Sequence, residues 1–241
     1  MRRSVVALLL AAVALAGCAE RTALPKPTLG PVAPDSATLV TSLAARADEQ
    51  RSVRFETENA VPGRDVRFAG GLLRAPEGRL LSLRQDPTTE VVVVADAGYA
   101  RTGGGAWTRL DLTQHAPVPA DTTVAGLADQ VDPASVVRSL AGGLLVEQGD
   151  EQLDGVATHR YALLLDLRLL AERTADGTRR ARLLAGYESG FTASATVWVG
   201  PGDLPVRVEQ VLKTLEDNVF ERTLYHFTDW NADIRVAAPA S

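Results

Sequence analysis

One cysteine, Cys18, stands in the 241 residues, so no intramolecular disulfide braces the chain. Histidine is nearly as scarce. His115, His159 and His226 lie far apart, with no His-x-His or His-Glu-x-x-His spacing to build a common zinc site. No Gly-x-Ser-x-Gly elbow occurs, and the Gly-rich "RTGGGAW" lacks the Lys-Ser/Thr that completes a phosphate loop. It reads as a flexible hairpin tip. No nucleophile–base set can be named, and the expectation is a protein that is not an enzyme. Lysine occurs only at Lys26 and Lys213, and the formal charge is −5. That acid excess makes nucleic acid an unfavourable partner. No apolar run reaches the roughly 20 residues that a spanning helix needs.

What is present begins at the N-terminus. Arg2 and Arg3 form a positive head, Val5 to Leu15 an unbroken apolar run, and Ala16-Gly17 a small-residue site. Together they predict a secretory signal peptide over 1–17. The stretch "LAGC", Leu15 to Cys18, resembles the lipobox of bacterial lipoproteins. That resemblance implies cleavage before Cys18 and a diacylglyceryl group on its sulfur. Two acyl chains hold a membrane stably where one does not. The expected location is therefore the outer face of the bacterial cytoplasmic membrane, with the membrane a partner through acylated Cys18. "ERTALPKPTLGPVAPD" follows, and its four prolines predict an extended tether over 18–35.

Beyond the tether, the periodicity alternates between two regimes. Leu39, Val40, Leu43, Ala44 and Ala47 recur at helical spacing behind a cap at Asp35 or Ser36. "SVRFETEN", "DVRFAGGLLR", "GRLLSLRQ", "TEVVVVAD", "YAR" and "AWTRL" then read as short strands, with Gly70-Gly71 marking a bulge or bend. Val124 to Val131 and the segment from Pro133 read as helices. Asp154-Gly155 sets a hairpin, "DLRLLAERTADGTRRARLLAGYE" a helix broken at Asp176-Gly177, and three strands follow. The fold class is α+β: a long antiparallel sheet, curled into a half-barrel, with helices on its concave side. His159 and His226 read as half-exposed strand residues. Asp150-Glu151 and Glu216-Asp217 read as solvated turns. "RRAR" at 179–182 reads as a solvated helix face, with lipid phosphate as the alternative.

Four stretches in order carry a further resemblance: "GYARTGGGAWTRLDL", "GDEQLDGVATHRYALLLDL", "ATVWVGPGDLPVRVEQ" and "YHFTDWNADIRVAAP". With the lipobox they resemble the LolA-like lipoproteins of actinobacteria, the LppX/LprA/LprF/LprG group, over residues 36–239. The resemblance implies a half-barrel around an apolar cavity for acylated lipids or glycolipids, with no catalytic residue, cofactor or metal. Period-two faces supply the candidate wall residues: Val53, Phe55, Phe68, Leu81, Leu83, Val92, Val94, Leu163, Leu165, Val197, Val206 and Val208. For any single one of them ordinary core packing is the commoner reading. Trp107, Trp198 and Trp230 read as sheet packing. The leading expectation is a tethered binder or carrier of acylated lipid. The alternative is a non-enzymatic envelope sensor or protein-interaction module of the same fold, with a protein partner.

Overall fold

The computed structural model describes residues 28–85, 88–117, 122–174 and 177–239. Cys18 and the signal-peptide segment lie outside them. Helix α1, Ser36–Asp48, starts at Asp35, whose carboxylate accepts the Thr38 N–H at 2.7 Å. Its buried stripe is the one the periodicity marks: Leu39, Val40, Leu43, Ala44 and Ala47.

A meander follows: β1 (Ser52–Val61), β2 (Arg64–Ala75), β3 (Gly78–Gln85), β4 (Thr89–Val94), β5 (Ala97–Thr102) and β6 (Thr108–Leu110). Two short helices, α2 (Leu127–Val131) and α3 (Pro133–Ser139), cross back. Strands β7 (Leu144–Leu153) and β8 (Val156–Leu165) come next. Then come α4 (Leu167–Arg173) and α5 (Gly177–Glu188), and finally β9 (Thr192–Gly200), β10 (Leu204–Lys213) and β11 (Val219–Thr228). The β7–β8 turn puts Asp154 at φ 51 and Gly155 at φ 81, the paired left-handed residues of a tight hairpin.

All eleven strands form one antiparallel sheet in the order β6-β5-β4-β3-β2-β1-β11-β10-β9-β8-β7. The two meanders meet where β1 pairs with β11, with Phe55 opposite Phe227. The sheet is not closed; β6 and β7 are its edges. One face turns Val53, Phe55, Leu72, Leu81, Leu83, Val197, Val208 and Phe227 into a single core. Helices α1, α2 and α3 cover this concave face, and Gln210 of β10 donates to Ser139 Oγ of α3 at 3.2 Å.

Asp132 fixes that cover. It is 3 % exposed at its side chain, caps α3 by accepting the Ala134 N–H, and pairs with Arg74 and Arg79. One buried carboxylate therefore ties the helix start to β2 and β3.

Gly70 and Gly71 make no bulge. Both pair in unbroken register with β1 and β3. A Cβ at Gly70 would meet the Ser82 carbonyl and the Phe55 ring, so the glycine lets that ring lie flat on the strand. The real irregularities are elsewhere. One lies between Pro205 and Arg207, where proline offers no N–H to the ladder, and another between Leu145 and Glu147.

Candidate functional site

Of the twelve candidate wall residues, eight are buried in the main core: Val53, Phe55, Phe68, Leu81, Leu83, Leu163, Val197 and Val208. Leu165 is half-buried and packs against both this core and a smaller one. The remaining three are corrected by the structure. Val91 and Val93 face the core, so Val92 and Val94 lie on the opposite face, half-buried. An unbroken valine run has no alternation to show which pair points inward. Val206 is displaced by the Pro205 irregularity, which restores inward register at Val208.

The smaller cluster is the more distinctive feature of the concave face. Leu167, Leu170 and Ala171 of α4, Leu183 of α5, Ala193 of β9 and Leu212 of β10 form an apolar cluster of their own. Phe191 and Phe220 flank it edge to face, with ring centroids 5.1 Å apart. The α4–α5 hairpin thus has its own apolar seat on the sheet. A cavity of ≈ 30 Å³ lies in this seat, reaching from Leu170 and Leu183 to Gln210 and Thr223. That is room for about one water.

Between the two clusters runs a band of polar side chains. Thr57 and Asn59 of β1, Thr223 of β11 and Gln210 of β10 occupy consecutive inward positions. Thr57, Thr223 and Gln210 are 2 %, 5 % and 9 % exposed. Asn59 Nδ2 donates to Thr223 Oγ1 at 2.9 Å. Thr57 Oγ1 is buried with no hydrogen-bond partner. At the margin, Arg182 of α5 pairs with Glu221 at 3.6 Å. This places one member of "RRAR" in an ion pair across the hairpin seat. Periodicity alone does not reveal the band, because a Thr or Asn in a strand reads as a solvent-face residue.

A second space lies at the other end of β8 and β9. The proline-rich segment from Thr28 on is held there by three hydrogen bonds. Gly202 N donates to the Thr28 carbonyl at 3.1 Å, His159 Nε2 meets the Gly30 carbonyl at 2.9 Å, and Ala33 N donates to Tyr161 Oη at 3.0 Å. With α1 this arm borders a groove of ≈ 350 Å³ lined by Leu39, Leu43, Tyr161 and Val199. His159 is 8 % exposed, not a half-exposed surface residue, and its Nδ1 lies 2.5 Å from Asp150 Oδ1. Burial alone would lower its pKa; the Gly30 carbonyl and the Asp150 and Asp203 carboxylates outweigh this and raise it. Asp150 and Glu151 lie within β7, not in a turn, and Glu151 accepts from Trp198 Nε1. His226 accepts from Arg207 at 2.5 Å; burial, then the Arg207 charge, lowers its pKa. Among the described residues no cluster of His, Cys, Asp and Glu could hold a metal ion, and no helix is long and apolar enough to cross a membrane.

An open antiparallel sheet with helices over its concave face is a LolA-like fold, and the solved structure of one actinobacterial lipoprotein supports this at the level of fold alone. The chain is similar to LprF from Mycobacterium bovis, with TM-score 0.55 and 16% identity over 88% of this chain and 100% of that one. It is similar to the lipoprotein LppX from Mycobacterium tuberculosis, with TM-score 0.48 and 16% identity over 84% of this chain and 98% of that one. A putative outer membrane lipoprotein-sorting protein domain from Vibrio parahaemolyticus matches with TM-score 0.34 and 10% identity over 82% and 92%. No protein-family model matches the chain, and no curated protein matches its sequence.

Proposed function

We propose that this chain is a membrane-tethered, extracytoplasmic binder or carrier of acylated lipid, and that it catalyses no reaction. The observation that carries the reading is the separate apolar seat under α4–α5, with its cavity bordered by a buried polar band. Apolar walls with a few convergent polar groups are what a lipid site requires. An acyl chain enters such a seat only when the hairpin moves outward. Lifting the hairpin uncovers Leu167, Leu170, Leu183 and Leu212, at about 1.5–3 kcal/mol for each side chain. A chain of about fifteen CH₂ groups regains about 12 kcal/mol at ~0.8 kcal/mol per group. The exchange is therefore near balance, which suits a site that must both load and unload.

The rim supports the same reading. Leu184 and Tyr187 on α5 and Leu215 and Val219 in the β10–β11 hairpin are exposed beside this seat, as a surface that meets a lipid interface requires. Arg180 lies exposed on the same helix as Leu184 and Tyr187. The anchor is Cys18, acylated after removal of residues 1–17. Residues 28–35 are part of the domain and not of the tether expected over 18–35, because the arm is bonded to the sheet from Thr28.

The test uses the full chain and Cys18→Ala in a host that processes lipoproteins. The parent should fractionate with membranes at the mature size and yield co-purifying acyl lipid by mass spectrometry. Cys18→Ala should lose the membrane association and keep the lipid. A parent domain that carries no lipid, and takes none up from envelope extracts, overturns the reading in favour of a protein-interaction module.

A further inference from the structure

The polar band raises a question that lipid binding in general does not answer: why bury hydroxyls in the middle of an apolar face? Thr57 stands opposite Phe68 on one side and Tyr225 on the other. The next inward row holds Val66, Asn59, Thr223 and Gln210. Thr223 and Gln210 line the cavity under α4–α5, and Thr57 lies one inward row away from them. A valine at 57 would fit the same strand position without leaving a polar atom dry. Thr57 is 2 % exposed and its buried hydroxyl has no partner.

Resting on the lipid reading above, we infer that Thr57 and Thr223 form a subsite for the uncharged ester linkage of an acylated ligand. Thr223 Oγ1 accepts from Asn59, which leaves its own O–H able to donate, and the Thr57 O–H is unused. Thr223 lines the cavity and Thr57 stands one inward row behind it, outside its lining, so a carbonyl oxygen carried in when the hairpin opens would meet one hydroxyl donor at the wall and a second beyond it. The acyl chain then runs from this point into the Leu165, Leu170, Leu183 and Leu212 seat. Charge argues against a phosphate here. Arg182, the cation lining the cavity, is paired with Glu221, and Glu221 also faces Asn59 at 3.5 Å. A phosphate would meet that carboxylate, and among the described residues that line the cavity the one guanidinium, Arg182, is already paired with it. The ester can belong to a glycerolipid or to an acylated sugar; both present the same carbonyl.

The experiment measures binding of three fluorescent probes to the purified domain: a diacylglycerol, a diacylated disaccharide, and the dialkyl ether analogue of the first. The proposal expects at least about a tenfold preference for an ester over the ether. Whichever ester binds tighter identifies the source. Thr57→Val should lose that preference while binding the ether as before, with thermal stability unchanged or raised, since a dry hydroxyl is removed. Thr57→Ser should keep the preference. An unchanged preference for ester over ether in Thr57→Val overturns the subsite and leaves the lipid reading standing. A parent that binds none of the three probes overturns both.

Discussion

If α4–α5 is a cover that opens by itself, a lesion in its seat must loosen the hairpin and spare the rest. Leu183 is the place to apply it. It is 7 % exposed and packs into the small cluster, with no part in the main core. Leu183→Ala removes three carbon groups, at ~0.8 kcal/mol each, before any term for the void left behind. The hairpin should therefore open at a cost lower by about 2–3 kcal/mol. At 1.4 kcal/mol per factor of ten, amide hydrogens of α4 and α5 should exchange about 30–150-fold faster. Amides of β1, β11 and β10 should keep their protection, because Phe55, Phe227 and Val208 lie in the other cluster. Hydrogen exchange read by mass spectrometry on peptic fragments measures both at once. Equal acceleration across 167–188 and the central strands would refute the reasoning: the two clusters would then unfold as one.

Two further outcomes follow from the arm and from the α3 cap. Both ring nitrogens of His159 face acceptors, Asp150 and the Gly30 carbonyl, and only the imidazolium donates to both. Its pKa is raised on folding, so this contribution is complete below the ordinary value near 6.5 and is lost as pH rises through the raised folded value. Limited proteolysis between residues 28 and 34 should be slower at about pH 6 than at about pH 8.5; His159→Gln should abolish the difference, and cleavage independent of pH in the parent contradicts it. Asp132→Ala should cost about 3–5 kcal/mol in urea unfolding, because it strands the largely buried Arg74 and uncaps α3. Glu49→Ala, which breaks an ion pair exposed by more than half on both sides, should cost under about 1 kcal/mol, and similar losses for the two variants would count against the account.

Much of this architecture was legible because period-two and helical stretches alternate cleanly. The stripe of α1, the Asp154-Gly155 hairpin and the Pro133 helix start are local chemistry, and local chemistry is what a sequence displays. The errors arose where a long-range partner decides the outcome. Four valines in a row at 91–94 fit either face, and the choice is made by packing against β3 and β5. Gly70 looked like a bend, but the Phe55 ring from the neighbouring strand is its reason. His159 looked exposed, because nothing in β8 announces that Gly30, 129 residues away, will sit on its ring. The polar band is hidden in the sequence for the same cause: Thr57, Thr223 and Gln210 become neighbours only when β1 pairs with β11 and β11 with β10.

The sheet's being open has a consequence for crowding. β7 is an edge, so one side of its backbone is a template on which another chain could lengthen the sheet. Its exposed apolar residues, Leu144 and Val146, sit beside the irregularity at Leu145/Glu147, which breaks the regular spacing a docking strand needs. Past that point the edge carries Glu147, Asp150 and Glu151. Two copies approaching edge to edge in antiparallel register would bring Glu147 and Glu151, which share one face of β7, beside the same residues of the other copy, which like charges oppose. Crowded copies are thereby kept from pairing β7 to β7 and lengthening the sheet at that edge.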